Sequence, residues 1–224
     1  MRVIINAQFL LASALYVAQI MLMYGDYLVD VKYDYEIMEM DEFVSLEEKE
    51  DKSYANVVID CDFENDGWCG FQNDKSQDDF DWTLIDKRTP SYGTGPSHDV
   101  SGAGSYIYIE TSYPRRNFDK ARLTSPVIPP MVYCLQFGFH ALGEDIGQLT
   151  IYKKGLGGNT RDKILHLEKS HGRNWHFVFL TVAHTSRFVI EFEGVCGKGF
   201  RGDIALDNIT LTEGECPIIQ RNNT

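Results

Sequence analysis

Five cysteines, Cys61, Cys69, Cys134, Cys196 and Cys216, carry the most direct chemistry in this 224-residue sequence. Fifteen arrangements of two bridges are open to five thiols, so their spacing alone selects none of them. The odd number also leaves at least one thiol free or bridged to another molecule. Asp207 is the second residue of note. Alternation through Asp203 to Leu211 puts Ala205, Asp207, Ile209 and Leu211 on one strand face. A carboxylate among apolar neighbours must be paired, hydrogen-bonded or ligating a metal, and backbone amides or Arg122 are the alternatives to a cation.

Other motifs promise less. Arg201-Gly-Asp203 spells an integrin-binding tripeptide, but if Asp203 opens the last strand it cannot stand at a loop tip. Gly197-Lys-Gly-Phe-Arg-Gly202 has the letters of a dinucleotide loop, yet a strand rather than a helix follows it. His166, His171 and His176 are spaced by five, which matches neither a zinc-binding helix face nor one face of a strand. There is no HExxH or GxSxG, and no nucleophile stands in a recognisable setting, so the chain reads as a non-enzyme. Asn208-Ile-Thr210 and Asn222-Asn-Thr224 are glycosylation sequons, the first inside a strand and the second in a loose tail.

The elements that must position these residues are strands. From about Tyr54, short alternating runs recur between Gly, Pro, Asn and Asp, as in Ser105–Glu110, Val132–Phe139, Trp175–Val182 and Arg187–Glu193. No window there keeps a 3.6-residue period over twelve residues, which predicts an antiparallel sandwich or barrel.

Charge is concentrated at the N-terminal side. The net charge is −12, and residues 26–53 alone hold eleven acids against three lysines, a net −8. That block reads as a solvated, poorly ordered acidic spacer. Residues 1–18 read as a signal peptide whose boundary extends to 25 at most: Arg2 is followed by an uncharged apolar run with small residues at Ala12, Ala14 and Ala18. The alternative is a membrane anchor, which Asn6, Gln8 and Gln19 weaken. The acidity disfavours a nucleic-acid partner and anionic lipid. The expected mature chain is secreted, extracellular and not inserted in a membrane.

From Cys61 onward the motifs form an ordered series. Cys61-Asp-Phe-Glu64, Cys69-Gly-Phe-Gln72, Asp79-Phe-Asp-Trp82, Gly93-Thr-Gly-Pro96, Gly104-Ser-Tyr-Ile-Tyr-Ile-Glu110, Ala121-Arg-Leu-Thr-Ser-Pro126, Cys134-Leu-Gln-Phe137, Gly202-Asp-Ile-Ala-Leu-Asp-Asn-Ile209 and Gly214-Glu-Cys216 run in sequence. This series resembles the MAM domain of meprins, neuropilins and mu-type receptor tyrosine phosphatases. The resemblance implies an all-β, antiparallel jelly-roll β-sandwich over residues 59–217, a short tail at 218–224, and no catalytic activity. It also implies bridges Cys61–Cys69 and Cys134–Cys216, which makes Cys196 the departure. Cys196 lies in Glu193-Gly-Val-Cys-Gly-Lys-Gly199, which reads as an exposed turn able to link a homodimer. A cation held between the first and last strands is implied as well, with Glu64, Asp66, Asp81 and Asp207 as ligands in an oxygen shell suited to Ca²⁺.

Three functions fit this reading. The first is a secreted adhesion or recognition module that works through protein–protein contacts, including homophilic ones. The second is an acidic matrix or mineral-associated structural protein acting through the spacer. The third is a glycan-binding jelly roll.

Overall fold

Val132 to Ala141 shows why this chain folds as a sandwich. Alternate side chains Tyr133, Leu135, Phe137, Phe139 and Ala141 all enter one apolar cluster, which a strand can bury only against a second sheet. The computed structural model describes residues 35–39, 56–64, 67–157 and 160–217. The chain divides into two units, Met1–Lys32 and Tyr33–Thr224, and every described residue belongs to the second. The signal-peptide reading of 1–18, the ligand candidate Asp66, the sequon Asn222 and the tail 218–224 lie outside the described residues.

Twelve strands are described: β1 Tyr35–Glu39, β2 Val57–Cys61, β3 Gln72–Asn73, β4 Thr83–Ile85, β5 Tyr106–Ile109, β6 Lys120–Thr124, β7 Val132–Ala141, β8 Gln148–Gly155, β9 Asp162–Glu168, β10 His176–Ala183, β11 Phe188–Val195 and β12 Ile204–Glu213. They form two antiparallel sheets of the jelly-roll sandwich. One sheet runs β1-β10-β7-β12-β5-β4, with β2 also paired to β12, and the other runs β3-β6-β11-β8-β9. The main core lies between them, built from residues such as Trp82, Ile109, Leu123, Phe137, Phe192 and Leu206. Among the described residues no helix is long and apolar enough to cross a membrane.

One part of the acidic spacer is ordered. Tyr35–Glu39 pairs in register with β10, from Tyr35 opposite Leu180 to Glu39 opposite His176. The reason is local: Met38 is buried in a second apolar cluster and Ile37 packs against the main core. This adds a strand within the acidic segment, ahead of the expected domain start.

The seven-stranded sheet is apolar on its outer face too. Met38, Tyr106, Tyr108, Cys134, Phe177, Phe179 and Ala205 form that second cluster with Val100 and Trp175. The long β4–β5 loop, residues 86–105, covers part of it. The Trp175 indole N–H donates to the His98 carbonyl at 3.0 Å, and the Val100 side chain sits over Gly138.

The outer face of the five-stranded sheet carries buried charge instead. Arg122 on β6 donates to Glu193 on β11 at 2.6 Å, and Arg161 reaches both Glu191 and Glu193. The Arg161 guanidinium lies 3.8 Å above the Tyr152 ring. Burial raises the Glu193 pKa, but the hydrogen bonds from Arg122 and Arg161 outweigh it and hold the carboxyl below its usual range. Arg122 therefore serves these glutamates, on the opposite sheet from Asp207.

Candidate functional site

Asp207 sits on β12 at the point where the strand changes face. Ile204 and Leu206 enter the main core and Ala205 enters the outer cluster, so regular alternation holds up to Asp207. Asn208 then adopts a positive φ of 46°, and the pairing with β7 shifts between Asp207 and Thr210. Asparagine tolerates this left-handed conformation better than most residues. Beyond the irregularity Ile209 and Leu211 return to the main core. Asp207 therefore does not share a face with Ile209 and Leu211, a correction that alternation alone could not anticipate.

Backbone amides satisfy the Asp207 carboxylate: Val100 N–H donates to Oδ2 at 2.9 Å and Asn208 N–H to Oδ1 at 2.7 Å. Burial pushes its pKa up to about 7, and the charges of Asp99 and Glu64 add to that shift. Asp99, which the sequence reading missed, belongs to this group. Its Oδ2 accepts from Ser101 N–H and Oγ–H, while Oδ1 is buried with no hydrogen-bond partner. Burial raises the Asp99 pKa, and its hydrogen bonds, Ser101 foremost, reverse the shift and lower it. Glu64 Oε1 accepts the Ser105 N–H at 2.6 Å. Any side chain at Gly104 would collide with the carboxylates of Glu64 and Asp99.

Asp81 does not join this group. It is paired with Lys75 at 2.5 Å on the surface, and Asp66 lies outside the described residues. Among the described residues no three His, Cys, Asp or Glu side chains stand in metal-holding geometry. What does fit a hard cation is the oxygen chemistry of Glu64, Asp99 and Asp207 and the unpartnered Asp99 Oδ1.

The cysteines form two bridges within the chain, Cys61–Cys69 and Cys134–Cys216. The first ties β2 to the following turn, and the second ties β7 to the segment after β12. Cys196 is free and 2% exposed, packed in the main core. Burial first, and then the charge of Asp119, push its thiol up to about 12. The flanking glycines made the segment look like an exposed turn. In fact Cys196 follows β11 directly, and its backbone bonds to Asp119 and Phe118 hold it under the β5–β6 loop. A homodimer bridged through Cys196 would need an exposed thiolate, which this burial denies.

Asp203 is 0% exposed and accepts at Oδ1 from both the N–H and the hydroxyl of Thr111. Burial, then the charge of Glu110, push its pKa up to about 7. Gly202 is buried as well, so the Gly-Asp part of the Arg-Gly-Asp tripeptide is used internally while Arg201 pairs with Glu144 at the surface. His166 bonds Thr150 and Glu168, whereas His176 bonds the His171 carbonyl, so the histidines serve separate local contacts. Asn208 is half-buried beside the β12 irregularity.

These buried groups brace three loops against one another. Ser91 and Ser112 share a hydroxyl hydrogen bond of 2.6 Å, the Thr111 hydroxyl shares its one proton between Asp203 Oδ1 and the Phe200 carbonyl, and Asp203 N–H donates to Thr94 Oγ. Phe118 N–H donates to the Cys196 carbonyl. On the braced loops stand Tyr113 (94% exposed), Tyr92 (83%), Phe118 (70%) and Phe200 (52%). Arg88 lies over the Tyr92 ring at 5.7 Å. Beside Phe118 opens a cleft of about 340 Å³ bordered by Glu144, Glu168, Lys169 and Lys198.

A disulfide-pinned two-sheet sandwich whose loops are held by buried carboxylates defines an all-β jelly-roll module. The chain belongs to the MAM family: the family described as MAM domain, meprin/A5/mu, matches residues 61–217. It is 39% identical over 168 residues to MAM domain-containing glycosylphosphatidylinositol anchor protein 1 of Rattus norvegicus, covering 70% of this chain and 17% of that protein. It is 39% identical over 175 residues to anchor protein 2 of Mus musculus, covering 70% of this chain and 18% of that protein. The chain thus spans under a fifth of the length of these relatives. The K3 cleaved adhesin domain of Lys-gingipain from Porphyromonas gingivalis W83 shares the fold, with a TM-score of 0.52 and 14% identity over 71% of this chain and 99% of that one.

Proposed function

We propose that the chain is a secreted, non-catalytic recognition module that binds proteins outside the cell, copies of itself included. The observation that carries this reading is the braced loop surface, where four large aromatic side chains stand in solvent on backbone cross-linked by partly buried hydrogen bonds. Monomeric proteins rarely expose such groups together without a partner for them. Family membership supports an extracellular setting, as do the glycosylphosphatidylinositol anchors in the relatives' names. Beads coated with the full chain are expected to cluster, or to adhere to cells, without added enzyme or cofactor. Beads that stay dispersed and bind no cell overturn the reading.

The same reading includes a structural Ca²⁺ that draws Glu64, Asp99 and Asp207 together; they do not stand in liganding geometry without it, and the expected ligand Asp66 lies outside the described residues. A cation there would satisfy Asp99 Oδ1 and offset the crowding of charge around Asp207. The pH dependence has a definite sign. The folded Asp207 pKa of about 7 lies above the ordinary 3.8, so without a cation stability is fully present below 3.8 and falls as pH rises towards 7. Protons and Ca²⁺ then compete. Calcium at a hundredfold excess over its Kd should raise the melting temperature by about 5 °C or more at neutral pH, and by less under mildly acidic conditions. Asp99→Asn should abolish the response, and an identical melt with chelator and with calcium at neutral pH excludes the site.

A further inference from the structure

The loop surface is not only aromatic. Its exposed charged side chains include Lys87, Arg88, Arg116 and Lys198, although the chain as a whole carries −12. Of its acids, Asp86 is exposed and two others brace the loops: Glu110 Oε1 accepts from Ser112 N–H and Ser91 Oγ–H, and Asp119 Oδ2 accepts from Arg116 N–H. Glu144 is engaged with Arg201 at 2.7 Å. Exposed tyrosine and arginine on a fixed backbone are the side chains that dominate the energy of protein interfaces, because they bury a large area at a small entropy cost.

Residues 40–53 have the complementary composition. They hold six acids against Lys49 and Lys52, a net −4, with Phe43, Val44 and Leu46 among them. Within one chain, residues 40–55 must also join β1 to β2 across the width and length of a sheet. Glu39 is level with His176 and Phe139, and Val57 lies opposite Thr212 at the far end of β12. In a second copy the segment is tethered to its own sheet in the same way, but its approach to this surface is set by how the two molecules meet.

We infer that Arg88, Tyr92, Tyr113, Arg116, Phe118 and Phe200 form a docking surface for the acidic segment 40–53 of a second copy of this chain. The inference rests on the homophilic part of the proposed function and names its contact. Acidic side chains of the segment meet the two arginines, and Phe43 and Leu46 cover the aromatic rings. Because each contact joins two different surfaces, the association is heterologous and builds open chains as well as pairs.

Sedimentation velocity on the full chain tests this over a range of concentrations. Wild type should self-associate, less so as salt rises from about 50 to about 500 mM, since screening weakens exposed charge pairs. A synthetic peptide of residues 40–53 should compete with that association. Tyr92→Ser with Tyr113→Ser should weaken it by about tenfold or more. Arg88→Glu with Arg116→Glu should abolish it, and mixing that variant with Glu47→Lys, Glu48→Lys copies should restore it. This charge exchange decides the matter even if the aromatic variant folds poorly. A wild-type chain that remains monomeric throughout overturns the homophilic reading and this inference together. Self-association that persists in both loop variants, or that the charge exchange does not restore, overturns the surface alone.

Discussion

Replacing the second bridge, by Cys134→Ser with Cys216→Ser, should destabilise the fold by up to about 4.5 kcal/mol on loop-closure entropy. The two cysteines are 82 residues apart in sequence, so the bridge removes a long loop from the unfolded ensemble. It also closes the structure at a place with few other ties. Cys216 lies beyond β12, held besides the bridge by a hydrogen bond from its N–H to the Thr181 hydroxyl, and Thr181 pairs with Cys134 across β10 and β7. The Cys61–Cys69 bridge spans only 8 residues and should be worth roughly 2 kcal/mol less on the same relation. Chemical denaturation of the two double variants measures both numbers. Equal losses, or a smaller loss for the longer loop, would show that native-state contacts rather than chain entropy set the value of these bridges.

Loss of Arg122 should be of similar size for a different reason. Arg122→Met leaves Glu191 and Glu193 buried with Arg161 as their remaining cation, and removing one partner of a buried ion pair typically costs about 3–5 kcal/mol. Arg122→Lys should cost less, because it keeps the charge while losing the planar guanidinium geometry. Adding Glu193→Gln to Arg122→Met should recover part of the loss, since the stranded charge is then gone. The pH dependence identifies the cause. The folded Glu193 pKa is depressed, so its contribution is present above the ordinary 4.5 and disappears as pH falls through the folded value. The gap between wild type and Arg122→Met should therefore narrow in acid, and a gap independent of pH would point to lost packing instead.

Both predictions concern features of unequal visibility in the sequence. The sandwich was legible because period-2 runs such as Val132–Phe139 are long and strongly apolar on one side, and the family resemblance ordered them. Asp207 was legible as a buried carboxylate. Its partners were not, because Val100 and Asp99 arrive from a loop about a hundred residues away, and no local spacing encodes that approach. The reversal of face at Asn208 was hidden because a single left-handed residue leaves an otherwise regular strand pattern intact. Cys196 misled through its neighbours: flanking glycines suggest a turn, yet they are the small residues that let a loop close over the thiol. The Arg122 network was missed because charged residues alternating on β11 look like a solvated face until other strands and Arg161 cover them. Tyr35–Glu39 was obscured by the acids on either side of half-buried Ile37 and buried Met38.

That short first strand has a practical meaning for anyone who trims the molecule. The family match begins at Cys61, and a chain cut there loses the partner of β10. Phe177 and Phe179 lie on a strand whose outer row of amides and carbonyls would then stand open, which is the template on which sheets of separate molecules zip together. The five residues before the module thus work as a built-in safeguard against precipitation, and a usable fragment starts upstream of Tyr35.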